Sequence, residues 1–166
     1  MSDWRIAPLT ATRVTELAAC HIASWREAYG TLVPGHILDG FDLERSALTW
    51  ERRRVDGIHQ LPVALVGDRL IGFASGTKSS VPGRQPGRSA STEDELEALY
   101  VRSAWHGTGI ADALIEAATP GSPCTLWVFA DYPRAHAFYR RHGFTDTGIR
   151  RTDPFTLLPE QLWRRD

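Results

Sequence analysis

The chain has 166 residues, 42% of them hydrophobic, and its 19 basic and 20 acidic side chains leave a formal net charge of -1. That length suits a single domain spanning residues 1–166, which buries roughly two-thirds of its unfolded surface without disulfide staples. The near-neutral balance argues against a dedicated nucleic-acid or membrane-surface binder, because affinity for polyanions grows with the basic excess.

Cys20 and Cys124 lie in apolar surroundings, which predicts buried free thiols in a reducing cytoplasm. Runs of about eighteen apolar residues are absent, and the start, MSDWRIAPLT, lacks the apolar core of a signal peptide. A cytoplasmic location is the expectation. Lys78 is the only lysine, so the positive charge is carried by arginines spread along the chain.

Trp4 to Leu9 alternates as a short first strand, and Thr10 or Thr12 can cap the helix that follows, which reaches about Tyr29. Val14, Leu17, Ala18, Ile22 and Trp25 form its apolar stripe, with His21 and Tyr29 one turn either side of Trp25. The stripe reads as core, while its aromatic end, Trp25 and Tyr29, reads equally well as a substrate-pocket wall completed by the loop from Gly30 to His36. Asp42 can cap a further helix from Leu43 to Val55, with Leu43, Ala47 and Trp50 inward. Arg52, Arg53 and Arg54 fall at its C-terminal end, where the dipole favours cations without any ligand.

Leu61 to Val66 and Leu70 to Ala74 are apolar strands joined around Gly67-Asp68, an antiparallel hairpin. From Ser75 to Asp94 periodicity stops and turn formers dominate, which predicts a long loop, either disordered or a flap over substrate.

Glu95 to Ala118 reads as strand, loop and helix: Leu96, Ala98, Leu99, Tyr100 and Val101 are β-prone, and Ile110, Ala113, Leu114, Ala117 and Ala118 recur at helical spacing. Between them, Trp105-His106-Gly107-Thr108-Gly109-Ile110-Ala111 leaves the backbone uncovered where the helix begins. Bare amides with a helix dipole behind them attract phosphate oxygens. A P-loop would need Gly-Lys-Ser/Thr, which is absent, and a dinucleotide fingerprint needs a glycine where Asp112 stands. An ordinary strand-to-helix turn and a phosphate-binding loop of another kind both remain open.

Pro120-Gly121-Ser122-Pro123 then breaks the chain, and Cys124 to Phe129 forms another apolar strand. Pro133 suits the first turn of the next helix and Gly143 the position past its end, with Ala135, Phe138 and Tyr139 on its inner face. Phe144 to Thr147 and Phe155 to Trp163 supply the last two strands.

Leu99-Tyr100-Val101 followed by His106-Gly107-Thr108-Gly109-Ile110-Ala111 resembles the acyl-CoA pyrophosphate loop of the GNAT family of N-acyltransferases. That pattern is Gln or Arg, two residues, Gly, one residue, then Gly or Ala. Ala135, Phe138-Tyr139 and Gly143-Phe144 also fall at the family's spacing, and Ile22 to Tyr29 is similar to a bacterial branch. His106 stands where the family usually has Gln or Arg, and Tyr132 where it often has asparagine. The resemblance implies an α/β fold with a mixed, mostly antiparallel central sheet of about 6–7 strands, splayed at the central strand and flanked by about 4 helices. It further implies Leu99, Tyr100 and Val101 beside the pantetheine arm, and His106, Gly107, Thr108, Gly109, Ile110 and Ala111 around the pyrophosphate. Tyr132, Ala135 and Tyr139 complete the implied cofactor contacts.

The implied reaction moves an acetyl group from acetyl-CoA directly to a primary amine in a ternary complex, without a metal. Tyr139 is the family's usual proton donor, since a phenol is still protonated at neutral pH. Glu95 and Glu97 alternate onto one face of the central strand, so either can serve as base, unless both are merely solvated. His21, His36 and His136 lack metal-ligand spacing, and there is no serine nucleophile elbow. A different class of function is a catalytically idle acyl-CoA-binding or sensor module. Dimers are common in the family. Acceptor determinants are expected within Trp25 to Phe41 and Ser75 to Asp94.

Overall fold

Residues 3–78, 94–120 and 123–166 are described in a computed structural model of the chain. Its elements run β1 (Trp4–Pro8), α1 (Val14–Tyr29), α2 (Gly35–Asp39), α3 (Leu43–Val55), β2 (His59–Gln60), β3 (Pro62–Val66), β4 (Arg69–Thr77) and β5 (Asp94–Val101). They continue as α4 (Ile110–Ala118), β6 (Cys124–Phe129), α5 (Pro133–Arg141), β7 (Thr145–Thr152) and β8 (Pro159–Arg165). All eight strands join one sheet in the order β1-β3-β4-β5-β6-β8-β7, with β2 paired to the far end of β4. Every pairing is antiparallel except β5 with β6.

Apolar residues are consecutive in β3 and β4 because both faces of the sheet are covered. Val63, Leu65, Leu70 and Phe73 face one way, onto Leu17, Ala18 and Trp50 of α1 and α3. Ala64, Ile71 and Ala74 face the other way, onto Ile110, Leu114, Ile115 and Ala118 of α4. The two-residue alternation of β3 thus feeds two cores at once, and in β4 a register shift at Ile71 lets residues three apart, Leu70 and Phe73 or Ile71 and Ala74, share a face. Burying a side chain such as Leu114, which is 0% exposed, contributes roughly 1.5–3 kcal/mol.

Several boundaries differ from the sequence expectation. β2 and α2 were not foreseen, since two- and five-residue elements are too short to display periodicity. Thr10 and Thr12 do not cap α1; their hydroxyls meet each other at 3.2 Å, and a 3-10 turn over Ala11–Arg13 leads into the helix. Asp42 does cap α3, accepting the Arg45 amide at 2.9 Å. Leu43, expected inward, is 42% exposed, because α3 turns only Ala47 and Trp50 toward the core.

β4 runs on through Ser75, Gly76 and Thr77, three residues into the expected loop, because β2 and β5 both pair with it there. Gly76 is required at that point: a Cβ would lie 2.4 Å from the Ala118 carbonyl oxygen at the end of α4. The rest of the expected loop, 79–93, lies outside the described residues. Near the C-terminus Phe155 belongs to a turn rather than a strand, closed by Asp153, whose carboxylate accepts the Thr156 amide at 2.9 Å and its hydroxyl at 2.7 Å.

Candidate active site

β5 and β6 share two register pairs, Asp94 with Cys124 and Glu95 with Thr125, and then part. Each stays bonded on its outer side, β5 to β4 as far as Val101 and β6 to β8 as far as Phe129. A cavity of about 890 Å³ occupies the gap, lined by Leu96 to Val101 along β5 and by Trp127, Val128 and Phe129 along β6. Its size is that of a small-molecule site. Strand groups facing such a gap have no neighbouring strand to satisfy them.

One mouth lies at the turn that leads into α4. Gly107 and Gly109 have φ of +77° and +88°, a conformation in which glycine is at ease and other residues are strained. A Cβ on Gly107 would meet nothing, so that backbone is bare. The ladder of α4 opens with the Ala113 amide donating to the Gly109 carbonyl at 3.1 Å, and the amides just ahead of it have no partner in the helix. The His106 ring nitrogen Nε2 meets the Val101 carbonyl at 2.8 Å and the Thr108 hydroxyl donates to the Trp105 carbonyl at 2.6 Å, so side chains brace the turn from behind.

Asp112 stands beside these amides, yet its carboxylate is engaged. It accepts from Arg141 at 2.8 Å and lies 2.6 Å from His142 Nε2, both at the end of α5. The Arg141 bond, with His142 adding, holds its carboxyl below the ordinary range against a smaller burial effect. On the other flank Glu27 of α1 accepts from Arg102 Nε at 2.6 Å and from the Ser103 amide and hydroxyl, tying α1 to the end of β5.

Of the residues singled out from sequence, Leu99, Tyr100, Val101, His106, Ala111, Tyr132, Ala135, Tyr139, Trp25, Tyr29, Glu95 and Glu97 all line the one cavity. Gly107, Thr108 and Gly109 form the turn at its edge, and Ile110, 1% exposed, turns its side chain into the core. Tyr139 sits among rings; its neighbours Phe138 and Phe144 lie 5.4 and 5.8 Å away. Burial, with smaller effects from Tyr100, Tyr132 and Cys124, raises its phenol well above the ordinary value, so it stays protonated. Burial likewise pushes Tyr100 up to about 12; its hydroxyl lies 3.5 Å from that of Tyr29.

Glu97 is the extra residue of a β-bulge: Ser75 pairs with Ala98 and Gly76 with Leu96. The simple alternation assumed for Glu95 and Glu97 therefore fails at this point. Glu97 Oε2 lies 3.0 Å from His59 Nε2, and His59 Nδ1 lies 2.6 Å from Asp56 Oδ2. Burial alone would lower the His59 pKa, but Glu97 and Asp56 together outweigh it and raise it. Glu95, 4% exposed, lines the same end of β5.

Sequence reasoning missed His59, which a two-residue strand brings to a carboxylate 38 positions away. It also missed Arg151 and Glu160, paired at 3.0 Å across β7 and β8, with the Arg151 guanidinium 3.9 Å above the Trp127 ring. Their signal is tertiary: neither helix nor strand periodicity marks them.

A family model described as an acetyltransferase (GNAT) domain matches residues 57–146. No curated protein matches the sequence. Among solved structures, the PaiA N-acetyltransferase of Thermoplasma acidophilum in complex with coenzyme A is similar at TM-score 0.73 and 16% identity, over 99% of each chain. A ribosomal-protein-alanine N-acetyltransferase from Brucella melitensis gives TM-score 0.69 at 24% identity, over 97% of this chain and 98% of that one. The yncA protein of Salmonella typhimurium with acetyl-CoA gives 0.68 at 15%, over 98% and 93%.

Proposed function

The chain belongs to the GNAT acetyltransferase family, and from that premise we propose that it moves an acetyl group from acetyl-CoA to a primary amine, with both substrates bound together. The observation that carries the reading is the parting of β5 from β6 beside a turn of bare amides. An extended, amide-bearing arm fits between two unpaired strand edges, and a diphosphate fits the amides from Gly107 to Asp112, with the dipole of α4 behind them. Acetyl-CoA brings a linear arm, a diphosphate and an activated thioester on one molecule.

In this reading the chain's residues do the following. The edge of Leu99, Tyr100 and Val101 aligns the arm, and His106, Thr108, Ala111, Tyr132 and Ala135 shape its surroundings. Glu95 or Glu97 takes a proton from the acceptor ammonium, leaving a nitrogen lone pair free to attack. The N–C bond forms and the C–S bond breaks. After attack the nitrogen sheds its second proton; Tyr139, buried and protonated, gives its own proton to the departing sulfur and is restored through solvent by that second one, so that the net reaction releases the single proton taken by the glutamate. Trp25 and Tyr29, ring centroids 4.8 Å apart, form part of the acceptor's wall.

The test is calorimetric titration with acetyl-CoA followed by free-thiol release across a panel of amines. Binding with turnover supports the enzyme. Binding without turnover on any amine reassigns the chain to an acyl-CoA-binding module, and absence of binding removes the reading. Among the described residues no helix is long and apolar enough to cross a membrane.

A further inference from the structure

The arginine run that ends α3 is not uniform. Arg54 is held by Glu51 through two bonds of 2.7 Å, and Arg52 donates to the Thr49 hydroxyl at 3.3 Å. Arg53 instead lies with its guanidinium 4.7 Å above the ring of Trp50 and lines the cavity. No acidic partner for it is found among the described residues. Trp50 is 3% exposed, so this stacking pins the cation on a fixed platform.

The charges around it are otherwise engaged. Glu97 and Asp56 hold His59, and Glu160 holds Arg151. His21, edge-on to Trp50 at 5.4 Å, is uncharged: burial, with a smaller effect of Arg53, lowers it to about 4. Beside neutral rings, the α3 end of the cavity thus offers one planar cation that has no carboxylate partner among the described residues, since the other, His59, is held between Glu97 and Asp56. It is built by α3 and β2, whereas the bare amides that suit a diphosphate belong to the turn before α4.

Resting on the proposed acetyl transfer, we propose that Arg53 binds a carboxylate carried by the acceptor itself, so that the substrate is an amino acid or amino acid-like amine. A guanidinium fork matches a carboxylate with two parallel hydrogen bonds. One guanidinium matches one negative charge; a phosphate dianion would call for a second cation, and His21 does not supply it. The apolar body of the acceptor lies against His21 and Trp50, and its amine points along β2 toward Glu97 and Glu95. Three residues, Asp56 to Ile58, separate the end of α3 from His59 in β2, which keeps the anion site and the candidate base at one end of the cavity.

The experiment compares phenylalanine, phenylalanine amide and 2-phenylethylamine as acceptors for the full chain with saturating acetyl-CoA. It also measures binding of N-acetylphenylalanine to the protein–CoA complex. The acid is expected to exceed both carboxylate-free amines by about tenfold or more in kcat/KM, the scale of a charged hydrogen bond. Arg53→Gln should erase that preference through KM, with kcat little changed, and should weaken N-acetylphenylalanine binding by a similar factor; Arg53→Lys should keep part of it. Arg134→Gln, which removes a cavity-lining arginine on the exposed first turn of α5, should leave the preference intact and so separates a local contact from general positive charge. Equal use of acid and amide, an equal loss on every acceptor in Arg53→Gln, or N-acetylphenylalanine binding unchanged by that substitution would each overturn the proposal. Calorimetry with acetyl-CoA alone comes first: failure there brings down the acetyl-transfer reading and this inference with it, whereas failure confined to the acceptor comparison brings down only the role of Arg53.

Discussion

His59 and Glu97 meet at 3.0 Å, and the contact joins a two-residue strand to the bulge of the central strand. Because the His59 pKa is raised in the fold, its contribution to stability is complete below the unfolded value of about 6.5. That contribution fades as pH climbs through the higher folded value. The gap in thermal midpoint between the wild type and His59→Gln should therefore be wider at pH 6 than at pH 9. A gap that does not vary with pH would mean that the imidazole is not charged between its two carboxylates.

Tyr139→Phe keeps the ring packing against Phe138 and Phe144 and deletes only the hydroxyl. Turnover should fall by about 10²-fold or more, the usual scale for losing a proton donor, while affinity for CoA stays within a small factor. Steady-state thiol release and calorimetry on the same preparation check both halves. An unchanged rate would remove the phenol from the reaction.

Gly109→Glu puts bulk and negative charge on a residue with φ of +88° at the N-terminus of α4. The backbone strain costs on the order of 1–3 kcal/mol, and the charge opposes a diphosphate at the same amides. CoA binding by calorimetry should be lost. Gly109→Ala separates the two effects, since it bears the strain without the charge and should retain measurable affinity.

Gly76→Ala tests packing where the site is anchored. The added methyl would fall 2.4 Å from the Ala118 carbonyl oxygen, backbone that cannot rotate away. A loss of about 1–3 kcal/mol in urea unfolding is expected, with β4 and α4 forced apart. Wild-type stability in this variant would show that α4 can slide on the sheet.

Much of this was legible in the residues alone. The β3–β4 hairpin, the Asp42 cap, the Gly143 stop and the strand-turn-helix around Gly107 follow from local chemistry, and the structure reproduces them. The end of β4 was not legible, because Ser75, Gly76 and Thr77 are turn formers that tertiary pairing holds in a strand. The bulge at Glu97 was hidden for a related reason: alternation presumes an uninterrupted ladder, and only the partner strand reveals the extra residue. Arg53 was read as a helix end favoured by the dipole; its contact with Trp50 is an i,i+3 pair within α3, but that this pair faces the cavity depends on how α3 lies against α1, which no short-range rule supplies.

Two register pairs hold β5 to β6, and the remainder of that seam is bounded by main chain on one side and by helix side chains at the far end. Under the proposed acetyl transfer the two substrates would be read by different kinds of matter. Peptide groups, common to every sequence with this topology, would carry most of the donor's contacts, while replaceable side chains of α1, α3 and β2 would face the acceptor. Mutation can redraw the second surface without disturbing the first, so a lineage built on this scaffold can change what it modifies while keeping what it spends.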